Sequence, residues 1–448
     1  MADPGPGFVL VPVDELKIGM YVKLDCHWLT HPFPRNSFRV QTSNDIALIR
    51  RLGQVSIWVD ASRSDPECLK KASTTTNSSP VRLEDQSPPI VLQESEEERT
   101  ILQKKSEQIQ THLRCQEELK KATARHAETV RHTKDVIDQV SAGREGCASP
   151  ALAMIESMSD ALHGSGTAMA VLNVNHSEAY GTANFAPVHA LNVFMVSMML
   201  GKKLELPHQE MGALGIGALL HDIGERKVPA QVLAKRTKGL TVTRAEKACF
   251  ELHPEYGRRI LDTTPGFPPN GGELVHQHHE RLDGSGYPRG LKEGAISLLA
   301  QIVMVADEYD HLTNTVESDH CLSPTEAFSR LYVNRGKLFS ELVVVGLIQT
   351  LSIYPPGTFV LLSDDSLGMV TRTNFSNITR PIVTLYEPGS SEHNIVVIDL
   401  DEGKDLSIKK TLRPTEVPAP IFDYWKSRRM AGYFVIIKDD LLDAMRQH

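Results

Sequence analysis

The strongest constraint on this chain lies between residues 185 and 310, where apolar helical segments carry side chains that an apolar core rejects. Met211 to Leu220 is a run of small and apolar residues ending in His221-Asp222, with Gly224 close behind. His189 opens a helical run and shares a face with Val193, Val196 and Leu200, so it points inward. His253 falls in helical phase with Phe250, Gly257 and Ile260, on a helix whose start is marked by the capping-box pair Thr243 and Glu246. Asp307 shares a face with Ala300, Val303 and Met304, which directs a carboxylate at the core. His278-His279-Glu280 stands just ahead of the Gly-rich turn Asp283-Gly284-Ser285-Gly286-Tyr287-Pro288.

Each feature alone has a bland reading. An inward His is usually a hydrogen-bonded core residue, a lone His-Asp pair arises by chance, and a single buried Asp is a cap or ion-pair partner. Together they point elsewhere, because several buried imidazoles and carboxylates are costly unless paired, and a shared metal supplies the pairing. His/Asp ligation without Cys suits Fe, Mn, Ni or Zn and argues against a structural zinc ribbon. A carboxylate bridging two such metals is the usual device for making a hydroxide nucleophile that attacks a phosphate ester. In the turn, Gly284 and Gly286 free the backbone for a close approach to a ligand. The flanking Arg281 and Arg289 offer planar donors to phosphate; the rival reading is a plain surface loop.

The rest of the chain sets the frame. A length of 448 residues suggests about three folded units. With 41% hydrophobic and 23% charged residues, wholesale disorder and fibrous structure are excluded. The longest nearly apolar run, Ala190 to Leu200, is short of the roughly 20 residues a membrane span needs. The opening MADPGPGFVL lacks the basic and apolar regions of a secretory signal. A net charge of −8 speaks against a surface that coats a nucleic-acid polymer. Six scattered cysteines without a C-x-x-C read as reduced thiols, and a cytoplasmic location is expected.

The expected fold is multidomain and mainly α. Residues 1–65 form a small α+β domain with strands at Met20 to Leu24 and Ser56 to Val59, a helix at Asn44 to Leu52, and Trp28 and Trp58. A polar linker follows at 66–93 and a long charged helix at 94–149. Leu102, Ile109, Leu113, Leu119, Val130 and Ile137 along that helix leave a homodimer through residues 94–140 open beside a lone solvated helix. Residues 150–352 form a helical domain, with a second capping box at Ser323, Pro324 and Glu326. Residues 353–448 form a β-rich domain, with strands at Thr358 to Ser363, Leu367 to Thr371, Pro381 to Tyr386, Ile395 to Leu400 and Tyr433 to Ile437.

Four strings carry a family resemblance: HDIG at His221 to Gly224, HPEYG at His253 to Gly257, HHERLDGSGYPRGL at His278 to Leu291, and VADEYD at Val305 to Asp310. In this order and spacing they resemble the HD-GYP family, all-helical HD-type metal-dependent phosphohydrolases that hydrolyse cyclic di-GMP. The resemblance spans about 180 to 350. Residues 8–65 resemble an uncharacterised domain often found ahead of HD-GYP in bacterial proteins, and YPPGTFVLLSDDSLGMV resembles the β extension that follows it. The resemblance implies a bacterial signalling phosphodiesterase that releases pGpG, with further cleavage to GMP left open, and contacts GGDEF-type cyclases. The rival is an adaptor of low turnover that binds cyclic di-GMP or such cyclases.

By the same resemblance, His221, Asp222, His253, His278, His279 and Asp307 hold two divalent transition metals, with Asp222 bridging. His221 and Asp307 complete one site; His253, His278 and His279 complete the other. His189 matches a further family histidine of variable role. Three-metal members carry Glu where this chain has Phe185, so a third metal is not expected. Asp222 and His221 are the catalytic pair, and Arg281, Asp283, Gly286, Tyr287, Pro288 and Arg289 the substrate-binding set. Two departures stand out. Glu225 replaces the family's Lys, placed near the substrate phosphate, and Thr315 to His320 (TVESDH) is acidic where the family is often basic.

Overall fold

A computed structural model describes residues 7–26, 30–33, 35–69, 96–163, 185–314, 321–374, 377–386, 396–402 and 406–427. Trp28, most of the 66–93 linker, the acidic segment Thr315 to His320 and the strand expected at Tyr433 to Ile437 lie outside these residues, as do the side chains of Leu113 and Leu119. The chain divides into two compact units, residues 1–115 with 384–398, and residues 116–383 with 399–448.

In the first unit, β1 (Phe8–Pro12), β2 (Tyr21–Lys23), β3 (Ser37–Arg39) and β4 (Ser56–Asp60) form an antiparallel sheet of order β1-β4-β2-β3. α1 (Ser43–Arg51) starts at a capping box in which Thr42 accepts from the Asp45 N–H and Asp45 accepts from Thr42. Val22, Val40, Ile49 and Val59 are fully buried in its core. A short α2 (Pro66–Leu69) follows, and then α3 (Glu96–Ser141), the long charged helix expected from sequence. Near the start of α3 the buried Lys105 ammonium donates to the carbonyls of His31 and Phe33.

The second unit holds the helical core. Its elements are α4 (Ala148–His163), α5 (Phe185–Lys203), α6 (His208–Leu219), α7 (Ala230–Thr237), α8 (Arg244–Phe250), α9 (His253–Thr263), α10 (Pro269–Gln277), α11 (Leu298–Thr313), α12 (Pro324–Val333) and α13 (Glu341–Leu351). One continuous apolar cluster runs through α5, α6 and α11 and includes Leu191, Phe194, Leu214, Ile216, Val303 and Val305. Of the described helices, α5 alone is long and apolar enough to cross a membrane by length and composition, and most of it is packed inside the protein. Both capping boxes read from the sequence are present, at Thr243/Glu246 and Ser323/Glu326. The described cysteines form no disulfide.

His253 departs from the expected placement. The helix capped by Thr243 stops at Phe250, and His253 begins the next one. Pro254 explains the break: it has no N–H to give the Phe250 carbonyl four residues back, and its ring would clash with that carbonyl.

After α13 come β5 (Phe359–Leu362), β6 (Leu367–Arg372), β7 (Ile382–Leu385), β8 (Val396–Asp399) and β9 (Ile408–Leu412), then α14 (Ala419–Ser427). β5 pairs antiparallel with β6 and β9. Arg413, just beyond β9, forks onto the Glu326 carboxylate at 2.7 and 2.9 Å, and so fastens this β region to the start of α12.

Candidate metal centre

α6, α8 and α10 each stop beside the same buried spot, and a helix that stops leaves carbonyls of its last turn without N–H partners. At each stop, the imidazole three residues beyond takes one of them. His221 Nδ1 donates to the Ala218 carbonyl at 2.8 Å, His253 Nδ1 to Phe250 at 2.9 Å, and His278 Nδ1 to Val275 at 2.6 Å. A carbonyl only accepts, so a proton sits on Nδ1 and each ring turns its Nε2 the other way, where it is available to a cation. All three rings are fully buried.

These nitrogens converge on Asp222. The Nε2 atoms of His253 and His278 are 3.3 Å apart, and Asp222 Oδ1 lies 3.4 and 3.5 Å from them. Asp222 Oδ2 faces the opposite way, 3.3 Å from His221 Nε2 and 3.7 Å from His189 Nε2. Gly224 permits this turn, since a Cβ there would run into the His253 carbonyl.

The other side of the centre rests on α5 and α11. His189 Nε2 lies 3.1 Å from His221 Nε2 and 3.2 Å from Asp307 Oδ1, while its Nδ1 meets Asp310 Oδ2 at 2.7 Å. Asp307 Oδ2 is 3.8 Å from His279 Nδ1. Asp307 Oδ1 is buried and accepts no aligned hydrogen bond, although nitrogens of His189 and His311 stand 3.2 and 2.8 Å away.

Lone pairs that face one another in a buried site repel unless a proton or a cation lies between them. Asp222, His253, His278 and His279 are close enough to share one ion, and His189, His221 and Asp222 another. His189, Asp307 and His311 also cluster. However, His311 Nδ1 is 3.1 Å from the Asp307 carbonyl, which claims its proton and removes that nitrogen as a ligand. The donor set of imidazoles and carboxylates fits a divalent transition metal.

Burial lowers His189 and His221, but Asp307 and Asp310 beside the first and Asp222 beside the second outweigh it and raise both, so in the metal-free centre these two rings attract protons. Burial opposes ionisation of Asp222, but the adjacent His221 imidazolium and the contacts from His221, His253 and His278 outweigh it and hold the carboxyl well below its usual range in the metal-free centre. Asp307 is likewise held low against burial, by His311 and His189. Burial, then the neighbouring imidazoles, push His279 well below the usual value, which keeps it neutral and able to ligate. Glu225 is pushed up to about 7 by burial and by the Asp222 charge.

The Gly-rich turn is bolted to this centre. The buried Glu280 carboxylate accepts the N–H groups of Arg289 and Leu291 at 2.9 and 2.8 Å. Tyr287 N–H donates to the His279 carbonyl at 3.1 Å, and its ring lies 4.7 Å from the His279 ring, packed against Val228, Val232 and Phe250. A side chain at Gly286 would strike the backbone of Glu280 and Arg281. Pro288 follows through a cis bond and is half-buried. Asp283 is exposed and accepts the Ser285 N–H at 2.9 Å.

The structure thus brings His189, His221, Asp222, His253, His278, His279 and Asp307 together, with Tyr287 against them. The arginines of the expected substrate-binding set have acidic partners. Arg281 is paired with Glu308 at 2.9 Å and lies over the Phe339 ring, and Arg289 meets Glu273 at 3.1 Å. Arg226, beside Glu225, is paired with Asp138 at 2.6 Å. Sequence reasoning passed over Asp310, His311 and Asn192 and gave Glu280 no role of its own. Asp310 and His311 had a signal, since they follow Asp307 by three and four residues on one helix face.

Residues 9–151 match the family described as a domain of unknown function, DUF3391, and residues 168–340 match the HD domain family. The chain is 27% identical to the cyclic di-GMP phosphodiesterase PA4108 of Pseudomonas aeruginosa, over 87% of this chain and 88% of that protein. It is 35% identical to the cyclic di-GMP phosphodiesterase response regulator RpfG of Xanthomonas campestris, over 34% of this chain and 40% of that protein. It is 33% identical to the 3'3'-cGAMP-specific phosphodiesterase 1 of Vibrio cholerae, over 39% of each chain. The last two matches span about two fifths of those relatives.

Proposed function

We propose, from the membership of this chain in the HD-GYP family of HD-domain proteins, that it is a metal-dependent phosphodiesterase that hydrolyses cyclic di-GMP. The observation that carries the reading is the set of Nε2 atoms turned onto Asp222 by carbonyls at three helix ends. Asp222, His253, His278 and His279 would hold one divalent ion; Asp222, His221, Asp307 and His189 would hold a second. Fe, Mn or Ni suits these donors, and Zn also fits. Bound there, such ions supply Lewis acidity toward a phosphodiester and a nucleophilic hydroxide at neutral pH. The chain's own residues do the rest. Asp222 sets the spacing of the two groups of ligands, and the Nδ1 anchors keep the rings from turning. Tyr287, with Val228, Val232 and Phe250, closes an apolar wall beside His253 and His279.

The reading extends to a linear pGpG product, then GMP, and to a cytoplasmic role in second-messenger signalling. It keeps the layout of an α+β domain at 1–65, a linker at 66–93, a helix at 94–149, the catalytic domain at 150–352 and a β-rich extension at 353–448. Contact with GGDEF-type cyclases through the GYP turn, and pairing of two copies through residues 94–140, belong to the same reading. The relatives' names support cyclic di-GMP as substrate, and one of them points to 3'3'-cGAMP as the competitor to test.

Protein purified anaerobically with metal present should contain about two transition-metal ions per chain. It should turn over cyclic di-GMP roughly tenfold or more faster than 3'3'-cGAMP, about what one altered base contact is worth. A preference for 3'3'-cGAMP would reassign the substrate. Hydrolysis of neither by metal-loaded protein would sink the enzyme reading.

A further inference from the structure

Of the imidazoles that meet at this centre, His189, His221, His253 and His278 are the buried ones, and one of these is held differently from the other three. His221, His253 and His278 lean on backbone carbonyls that exist only because a helix has just ended. His189 lies inside α5, where the carbonyl three residues back belongs to the helix's own hydrogen bonds. Its Nδ1 needs another acceptor, and Asp310 on α11 supplies one at 2.7 Å.

Asp310 is nearly fully buried, where a carboxylate is costly unless its oxygens are satisfied. Its second oxygen accepts from the side-chain amides of Asn192 and Asn314, each at 2.8 Å. Asn192 lies one turn beyond His189 on α5, and Asn314 one turn beyond Asp310 at the end of α11. The two helices therefore each contribute an amide to keep one carboxylate in place. A carboxylate accepts, so His189 keeps a proton on Nδ1, and its Nε2 faces His221, Asp307 and Asp222, where a cation would replace any proton it holds.

We infer that Asp310, braced by Asn192 and Asn314, is the positioning residue that makes His189 a metal ligand through Nε2. The inference rests on the metal-dependent reading above and deepens it. A carboxylate partner also makes an imidazole a stronger donor than a carbonyl partner does. The ion on the His189 side is therefore the one that depends on side chains, and the ion on the His253–His278 side is indifferent to Asp310.

The test is a Co2+ titration of the full chain, followed by visible absorption, which reads ligand geometry without any substrate. Asp310→Asn should weaken one of two Co2+ ions by roughly 10- to 100-fold and shift its absorption band, leaving the other ion unchanged. His189→Ala should weaken the same ion. The double variant should be no weaker than His189→Ala alone, because Asp310 acts through that ring. Additive losses in the double variant, or Asp310→Asn binding both ions as the parent does, would overturn the inference. Should Asp310→Asn fail to fold, Asn314→Ala leaves the carboxylate in place with one brace fewer. It should weaken the same ion by a smaller factor, and unchanged binding there would count against the inference equally. A parent chain that binds no Co2+ would overturn the metal reading itself, before any variant is made.

Discussion

The His253–His278 side of the centre and the His189–Asp307 side present similar atoms to the same carboxylate, yet they are built from different material. The first uses helix ends: α8 and α10 stop, and freed carbonyls of Phe250 and Val275 turn the rings. The second uses helix middles, α5 and α11, and must bury Asp310 and Asn192 among apolar residues to hold one ring. Backbone anchoring tolerates side-chain substitution around it but depends on where each helix stops. Side-chain anchoring leaves the helices free of breaks but costs the desolvation of every group in the network.

Asp222 belongs to both sides, so removing it erases the difference. Asp222→Ala should abolish binding of both ions and lower phosphodiesterase activity by about 1000-fold or more, a loss of roughly 4 kcal/mol in transition-state stabilisation. Metal analysis of the purified variant checks this, and two ions retained would mean that the carboxylate is not shared. A change confined to the helix-end side should do less. Pro254→Ala restores an N–H able to claim the Phe250 carbonyl, so α8 can run on and His253 loses its anchor. The expected result is a 10- to 100-fold weaker ion at His253–His278–His279 with the other ion unchanged, read by metal titration.

The smallest effect concerns Glu225, whose carboxyl is pushed up by burial and the charge of Asp222 and pulled down by His253, His189 and His311. Its carboxyl lies at about 7 in the folded metal-free protein against an ordinary 4.5. Between those values the folded chain keeps a proton that the unfolded chain has released. This group therefore makes stability fall as pH rises through that window. Glu225→Gln cannot release a proton, so its metal-free form should lose less stability between pH 4.5 and 7 than the parent does. Urea midpoints at both ends of the window decide it; parallel curves would place Glu225 outside the field of Asp222.

The family resemblance supplied the candidate ligand set, and helical phase was enough to single out His189, His253 and Asp307 within it as polar side chains on apolar faces. It was not enough to find the break itself. Phe250, Gly257 and Ile260 stay in phase with His253 across the interruption, and only Pro254 betrays it. The arginines beside the Gly-rich turn were legible as candidate phosphate donors, but their partners Glu308 and Glu273 were not, because these reach them through tertiary packing that no local window contains. β1 and β9 were missed for a related reason. Both are edge strands, and Phe8–Pro12 and Ile408–Leu412 each bury a single residue, too little alternation to read. Asp310 was in plain view within VADEYD, but its partner His189 lies 121 residues away.

The carbonyl anchors also settle an order of events. The rings of His221, His253 and His278 are aimed by backbone that the apolar cluster through α5, α6 and α11 already holds. On the proposed metal reading, folding would therefore come before loading, the reverse of small domains that collapse only around their ion. A chelator should empty such a centre without melting the protein, and refilling needs no rebuilding of the helices. Ion identity would then become a matter of supply: one folded chain could exchange one metal for another, following whatever the surrounding solution offers.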